Sequence, residues 1–184
     1  MVRRNVAVFG TYRRPDDAEE AIGSLIIKGF PSETISALIP EDLAARGRKP
    51  EPIPVDQEEA RHVVEKEIVR GTLGLLDHVA AVSVPNVGFL VGAGPLMSAL
   101  TGVESAPPAG RIAAALEAMG AAPADARHYE KVLKRRAIVS VNCADSEWAL
   151  RAKQVLARTG AERLSSSAET AEAPKVRHGG AAPF

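Results

Sequence analysis

Residues 5–40 read NVAVFGTYRRPDDAEEAIGSLIIKGFPSETISALIP, and this stretch decides the fold class. Residues 5–10 (NVAVFG) are β-branched and aromatic and suit a buried strand. Pro15 opens a helix at its first position, where the missing N–H costs nothing. Asp16, Asp17, Glu19 and Glu20 then place negative charge near the positive end of the helix dipole. Ala18, Ala21, Ile22, Leu25 and Ile26 recur at helical spacing and form one apolar side. Gly29 stands where a helix commonly ends in a left-handed residue, and Phe30-Pro31 stops it. Residues 34–39 (TISALI) form a second strand, closed by Pro40. The stretch is a βαβ unit, a connection that is right-handed in nearly all known cases.

The same plan returns near the other end. Residues 137–141 (AIVSV) are a strand and Asp145 is placed to cap a helix. Trp148, Ala149, Ala152, Val155 and Leu156 line one face of that helix, Gly160 follows it, and residues 162–165 (ERLS) make a short last strand. Two such units predict an α+β, ferredoxin-like sandwich: a four-stranded antiparallel sheet with two helices on one face. The expected organisation is a single domain over residues 1–165, with a long, mainly helical insert over about 41–136. Residues 166–184 have no apolar period and read as a disordered tail. Val6 and Val8 alternate with Ala7 and Phe9, and Ile138 with Val139 and Val141, so both faces of the strands are apolar. Both sheet faces must then be covered, and the insert is expected to fold back over one of them.

Within the insert, residues 41–57 carry three prolines and many charges and read as an exposed linker. Residues 58–79 read as a helix with Val63, Val64, Ile68, Leu73, Leu75 and Leu76 on its apolar side; Gly71 and Gly74 suggest close approach to another element. Residues 79–103 (VAAVSVPNVGFLVGAGPLMSALTGV) bear no charge, in a chain of which 25% is charged. That length could cross a bilayer, which needs about 20 apolar residues. Pro85, Gly88, Gly92, Gly94, Pro95 and Gly102 argue against it, because they interrupt the helix that lipid demands. The prediction is a buried, bent segment, extended over residues 87–91 and helical over 95–100. Helices follow over residues 111–119, stopped by Gly120, and over 123–134, ending in Lys131, Lys134, Arg135 and Arg136.

Composition narrows the function classes. Lys plus Arg equals Asp plus Glu at 23 each, so no net field recruits nucleic acid or an anionic membrane. With one Trp, two Tyr and four Phe, the chain lacks a stacking platform for bases. A lone Cys143 makes no internal disulfide, and no CxxC pair is present. Met1-Val-Arg-Arg is followed by no signal-peptide core, which points to the cytoplasm, without nucleic acid or membrane contact. Gly88, Gly92 and Gly94 lack the lysine of a phosphate loop and do not continue as GxGxxG. The GxxxG from Gly88 to Gly92 is bracketed by Pro85 and Pro95, too tightly for a helix dimer. His62, His78, His128 and His178 are scattered without metal-site spacing. His128-Tyr129-Glu130 is the one cluster that could offer acid–base chemistry, although Tyr129 suits helix packing better. Cys143 suits a small buried role rather than a nucleophile, and Arg13-Arg14 a solvated loop rather than an anion site. No catalytic, cofactor-binding or metal-binding residue is expected, and no cofactor.

The order of these parts resembles a bacterial family, the general-stress or heat-induced stress-protein domain. VAVFGTYRRPDDAEEAIGSLIIKGFPSETISALIP at 6–40 is similar to that family's opening strand and helix, which run into a GF turn and a second strand. PNVGFLVGAGPLMSALTG at 85–102 is similar to its Gly/Pro signature, and MGAAPADARHYEKVLKRRAIVSV at 119–141 to the segment that follows. Two positions depart from the pattern. A charged helix with Glu65, Lys66 and Glu67 replaces a Gly/Ala-rich run, and Asn86 stands where the family has glycine. The resemblance implies a stress-associated protein without catalytic activity that acts by binding or self-association. It makes Pro85, Gly88, Gly92, Gly94, Pro95 and Gly102 a structural signature rather than a site. Alternative expectations are a small-ligand sensor domain and a protein that meets a membrane surface under stress. A homodimer is a secondary expectation.

Overall fold

The computed structural model of the chain describes residues 6–46, 72–76, 79–103, 107 and 110–167. Among these, six strands form one sheet: β1 (Val6–Tyr12), β2 (Ile35–Pro40), β3 (Ala80–Val84), β4 (Gly88–Ala93), β5 (Ala137–Cys143) and β6 (Leu164–Ser166). Their order is β3-β4-β2-β5-β1-β6, and every neighbouring pair is antiparallel. The helices are α1 (Pro15–Ile27), α2 (Glu41–Arg46), α3 (Pro95–Gly102), α4 (Arg111–Ala118), α5 (Pro123–Val132) and α6 (Ser146–Arg158). No described helix is long and apolar enough to cross a membrane.

Local chemistry accounts for the two long helices. Pro15 occupies the first turn of α1, and Ala18, Ala21, Ile22 and Leu25 are its buried side. Its end is closed by a pair of bonds, Gly29 N–H to Ile26 O and Phe30 N–H to Leu25 O, with Gly29 at φ +88. Helix α6 ends the same way through Gly160 and Ala161, and begins with the Asp145 carboxylate accepting from Trp148 N–H at 2.9 Å.

The pleat divides the core in two. On one face α1 and α6 pack on Val6, Val8, Ile35, Ala37, Val139 and Val141. On the other, Leu96 and Met97 of α3, Ile112 and Leu116 of α4 and Tyr129 of α5 pack on Ala7, Phe9, Leu38 and Ile138. The two-faced apolar alternation of β1 and β5 thus meets helices on both sides. The second cover comes from the insert, through residues 95–133.

Several expectations change. The sheet has six strands rather than four, because residues 80–93 form a hairpin that widens it beyond β2. Residues 79–103 are therefore not uniformly buried: Ala80, Ala81 and Ser83 on β3 are exposed. Val84-Pro85-Asn86-Val87 makes the turn, with Val87 N–H donating to Val84 O at 3.1 Å and Asn86 at φ 67. Proline second and a positive-φ residue third is the type II pattern, and asparagine tolerates that conformation better than other non-glycine residues. Residues 41–46 are helical rather than linker, since Glu41 and Asp42 follow Pro40 directly and supply an acidic first turn. Of the helix expected over 58–79, residues 72–75 form a 3₁₀ turn with Leu73 buried and Leu75 exposed; its body lies outside the described residues. The expected tail starts too early. Ser166 pairs with Val8 in β6, and Ser167 Oγ accepts from Ala7 N–H at 3.0 Å. The remaining tail lies outside the described residues.

Candidate functional site

A recess opens where the C-terminal turn of α1, the end of β5 and the first turn of α6 meet. Gly29, Phe30, Pro31, Thr34, Asn142, Cys143, Ala144 and Trp148 line it, around a volume of ≈ 200 Å³. The local folding rules place its walls. Phe30 follows the glycine that ends α1 and turns inward to 4% exposure, the apolar contact that commonly accompanies such a cap. Asp145 fixes the start of α6, so that Trp148 meets Phe30 edge to face, with ring centroids 4.9 Å apart at 84°. The Arg151 guanidinium lies 5.3 Å from the Trp148 ring centroid.

Cys143 lies on the same side of β5 as Val139 and Val141 and is buried. Its Sγ donates to Val141 O at 3.8 Å, a weak contact. Burial, reinforced by the nearby Asp145 charge, pushes the thiol up to about 12. A thiol held neutral is a poor nucleophile and a poor metal ligand, so its place in the recess is that of a small apolar wall. Thr34 is committed to Pro31 O at 2.7 Å. Among the described residues, no charged side chain lines the recess, and Asn142 brings the one amide side chain. Such a space suits a small, neutral, largely apolar group.

The other candidates fall elsewhere. Tyr129 is buried beside Phe9, with centroids 5.9 Å apart, and its Oη shares a 2.5 Å hydrogen bond with Ser165 Oγ. Glu130 accepts from Gly110 N–H at 2.9 Å and Ala113 N–H at 3.2 Å, holding the start of α4. His128 contacts Tyr129 only ring to ring, with centroids 6.2 Å apart. The three consecutive residues serve three separate contacts, so no acid–base centre forms there. His62, His78 and His178 lie outside the described residues. Arg13 and Arg136 both pair with Glu162, and Arg14 pairs with Asp16 at 3.1 Å. Among the described residues, no group of three or more His, Cys, Asp or Glu could hold a metal ion.

The Gly/Pro residues at 85–102 divide into contacts and bystanders. Pro85 makes the hairpin turn, and Pro95 occupies the first turn of α3. A Cβ on Gly92 would overlap Met97 Sδ and stand 2.7 Å from Leu38 Cδ2. Gly94, at φ +81, crosses β2 so closely that a Cβ would overlap the Ile35 carbonyl oxygen. Just beyond it, Leu96 N–H donates to Ser36 Oγ at 3.0 Å, tying α3 to the same strand. Gly88 (φ +113) and Gly102 would place a Cβ in open space. Two functional roles escaped sequence reasoning: the Glu130 cap and the Phe30–Trp148 wall. The caps at Gly29 and Asp145 were the available signal for the second, since each orients its neighbouring aromatic.

Comparison of the chain with family models, with curated proteins and with solved structures finds no match.

Proposed function

We propose that this is a non-catalytic, stress-associated protein that acts by binding, and that the Phe30–Trp148 recess holds a small neutral apolar or aromatic group. The carrying observation is the recess itself: two aromatic walls at right angles around ≈ 200 Å³, with no charged side chain among the described lining residues. The stress-associated part of the reading rests on the motifs at 6–40, 85–102 and 119–141. Cytoplasmic residence belongs to the same reading. We further read β1-α1-β2 and β5-α6-β6 as the two βαβ units of a ferredoxin-like core, which the order β2-β5-β1-β6 supports. The hairpin β3-β4 and helices α3 to α5 are then additions to that core.

Trp148 is the single tryptophan, so the recess carries its own fluorophore. Fluorescence and thermal unfolding would be followed as toluene or cyclohexanol is added, beside benzoate as the charged counterpart. Saturable emission change and a rise in Tm with the neutral probes, and neither with benzoate, is the expected result. Ala144→Leu should abolish both responses by filling the space. Neutral probes without effect on either readout would refute the binding role of the recess, and specific turnover in a broad enzyme screen would refute the non-catalytic part.

A further inference from the structure

The sheet has two edges, and they are not alike. β6 has three residues, a short edge of the kind that discourages further pairing, and Arg163 beside it is ion-paired with Asp125. β3 has five residues, AAVSV, with no proline and no charge, in continuous register with β4 and therefore without a bulge. Four of the five are exposed or half-buried. Among the described residues, the usual defences of an open edge are absent.

We propose that β3 pairs with β3 of a second copy, antiparallel about a two-fold axis at Val82, joining two sheets into one. This goes beyond the recess and is independent of it. The hydrogen-bond phase of the edge follows from the hairpin. Val84 O accepts from Val87 N–H, so the backbone groups of Val84 face β4. Antiparallel pairs alternate, so Val82 and Ala80 also face β4, while the N–H and C=O of Ala81 and Ser83 point outward. Among the described residues β3 is paired with β4 alone, so those groups meet no further strand.

A two-fold axis at Val82 sets Ala81 opposite Ser83 of the partner subunit, twice, which gives about four backbone hydrogen bonds. The same register sets Ala80 opposite the partner's Val84, small against large, and uses all five residues. Val82 then meets the partner's Val82 as a non-hydrogen-bonded pair, where side chains approach most closely. Val82 already packs against the core cluster to which α3 contributes, so the contact would continue that core across the axis. Charge favours a second copy as occupant. Residues 79–103 carry none, so two copies meet without repulsion, and no charge on this edge calls for an acidic or basic partner strand.

Sedimentation of the full chain over a wide concentration range should show a monomer–dimer equilibrium. Ser83→Pro removes an outward N–H while sparing the ladder to β4, the one place a strand tolerates proline. It should be monomeric with unchanged circular dichroism. Val82→Cys provides the register-specific test and does not depend on the proline variant folding. Non-hydrogen-bonded partners stand about 4.5 Å apart at Cα, within the range of a disulfide. Under mild oxidation Val82→Cys should yield a covalent dimer, and Ser83→Cys, whose mate is the partner's Ala81, should lag far behind. A wild-type chain that stays monomeric at every concentration would overturn the proposal. So would a dimer that cross-links equally through both cysteines or through neither.

Discussion

Replacing Gly94 with alanine adds one methyl group and should be among the most damaging single changes in the chain. Gly94 sits at φ +81 and ψ −168, a region essentially reserved for glycine, and a side chain there costs about 1–3 kcal/mol in backbone strain alone. The added Cβ would also overlap Ile35 O and stand 2.9 Å from Ile35 C and Ser36 Cα. Those atoms are backbone of β2, a strand held on both sides by β4 and β5, and cannot rotate away. Moving the start of α3 instead would break the Leu96–Ser36 bond, worth about 1 kcal/mol. Together these give a loss of about 3–5 kcal/mol, a large share of the 5–15 kcal/mol typical of a domain. For a chain of this size that corresponds to a fall in Tm of about 10–15 °C. Urea titration followed by Trp148 fluorescence and far-ultraviolet circular dichroism measures it, with the midpoint falling at nearly constant slope. Neighbouring glycines supply the controls. Gly92→Ala meets Met97 and Leu38 side chains that can swing aside, so about 1–3 kcal/mol is expected. Gly102→Ala meets nothing and should lie within about 0.5 kcal/mol of wild type. Equal losses at Gly94 and Gly102, or a Gly94→Ala variant as stable as wild type, would refute the close-crossing argument.

Cys143 should resist thiol reagents at neutral pH until the protein unfolds. Its thiol is raised from 9.0 to about 12, so the unfolded chain releases that proton first; stability should be intact below about pH 9 and decline from there toward pH 12. Tyr12, raised from 10.0 to about 12 by burial, adds a loss of the same sign, so Cys143→Ala should flatten the decline only partly. Rapid labelling of the folded protein would contradict the buried, neutral thiol. Glu130→Ala should free the N–H groups of Gly110 and Ala113, costing about 1 kcal/mol and speeding hydrogen exchange at the start of α4; unchanged exchange there would show that the cap contributes nothing. Asp145→Ala should cost a similar amount, about 1 kcal/mol by urea titration, and shift Trp148 emission by loosening the first turn of α6. An unshifted spectrum would mean that Trp148 is held by Phe30 and Arg151 without help from Asp145.

Features governed by neighbours in sequence were legible. Pro15, Gly29, Asp145 and Gly160 act within one helical turn, and each stands at the helix end that its chemistry suggests. The alternation of Val6 and Val8 with Ala7 and Phe9 announced two covered faces, because burial on both sides leaves no polar position in a strand. The β3-β4 hairpin was harder, since the five small or branched residues of β3 are too few to separate a strand from a helix end. The type II turn at Pro85-Asn86 held the missing signal. Helix α2, at six residues, is too short for any period to emerge. The recess was hidden for another reason: Phe30 and Trp148 belong to opposite parts of the chain and meet only once β1 and β5 pair.

The pairing of β1 also shapes how the protein is made. Its only two strand neighbours, β5 and β6, are synthesised more than a hundred residues later. At ordinary elongation rates, VAVFGTY emerges on the order of ten seconds before either neighbour exists. During that interval a strand apolar on both sides has no ladder to join, and the apolar side of α1 is the nearest surface already made that can shelter it. Codon choice that slows translation before residue 137 would lengthen this exposure, and aggregation in the cell would then follow translation speed rather than the stability of the finished fold.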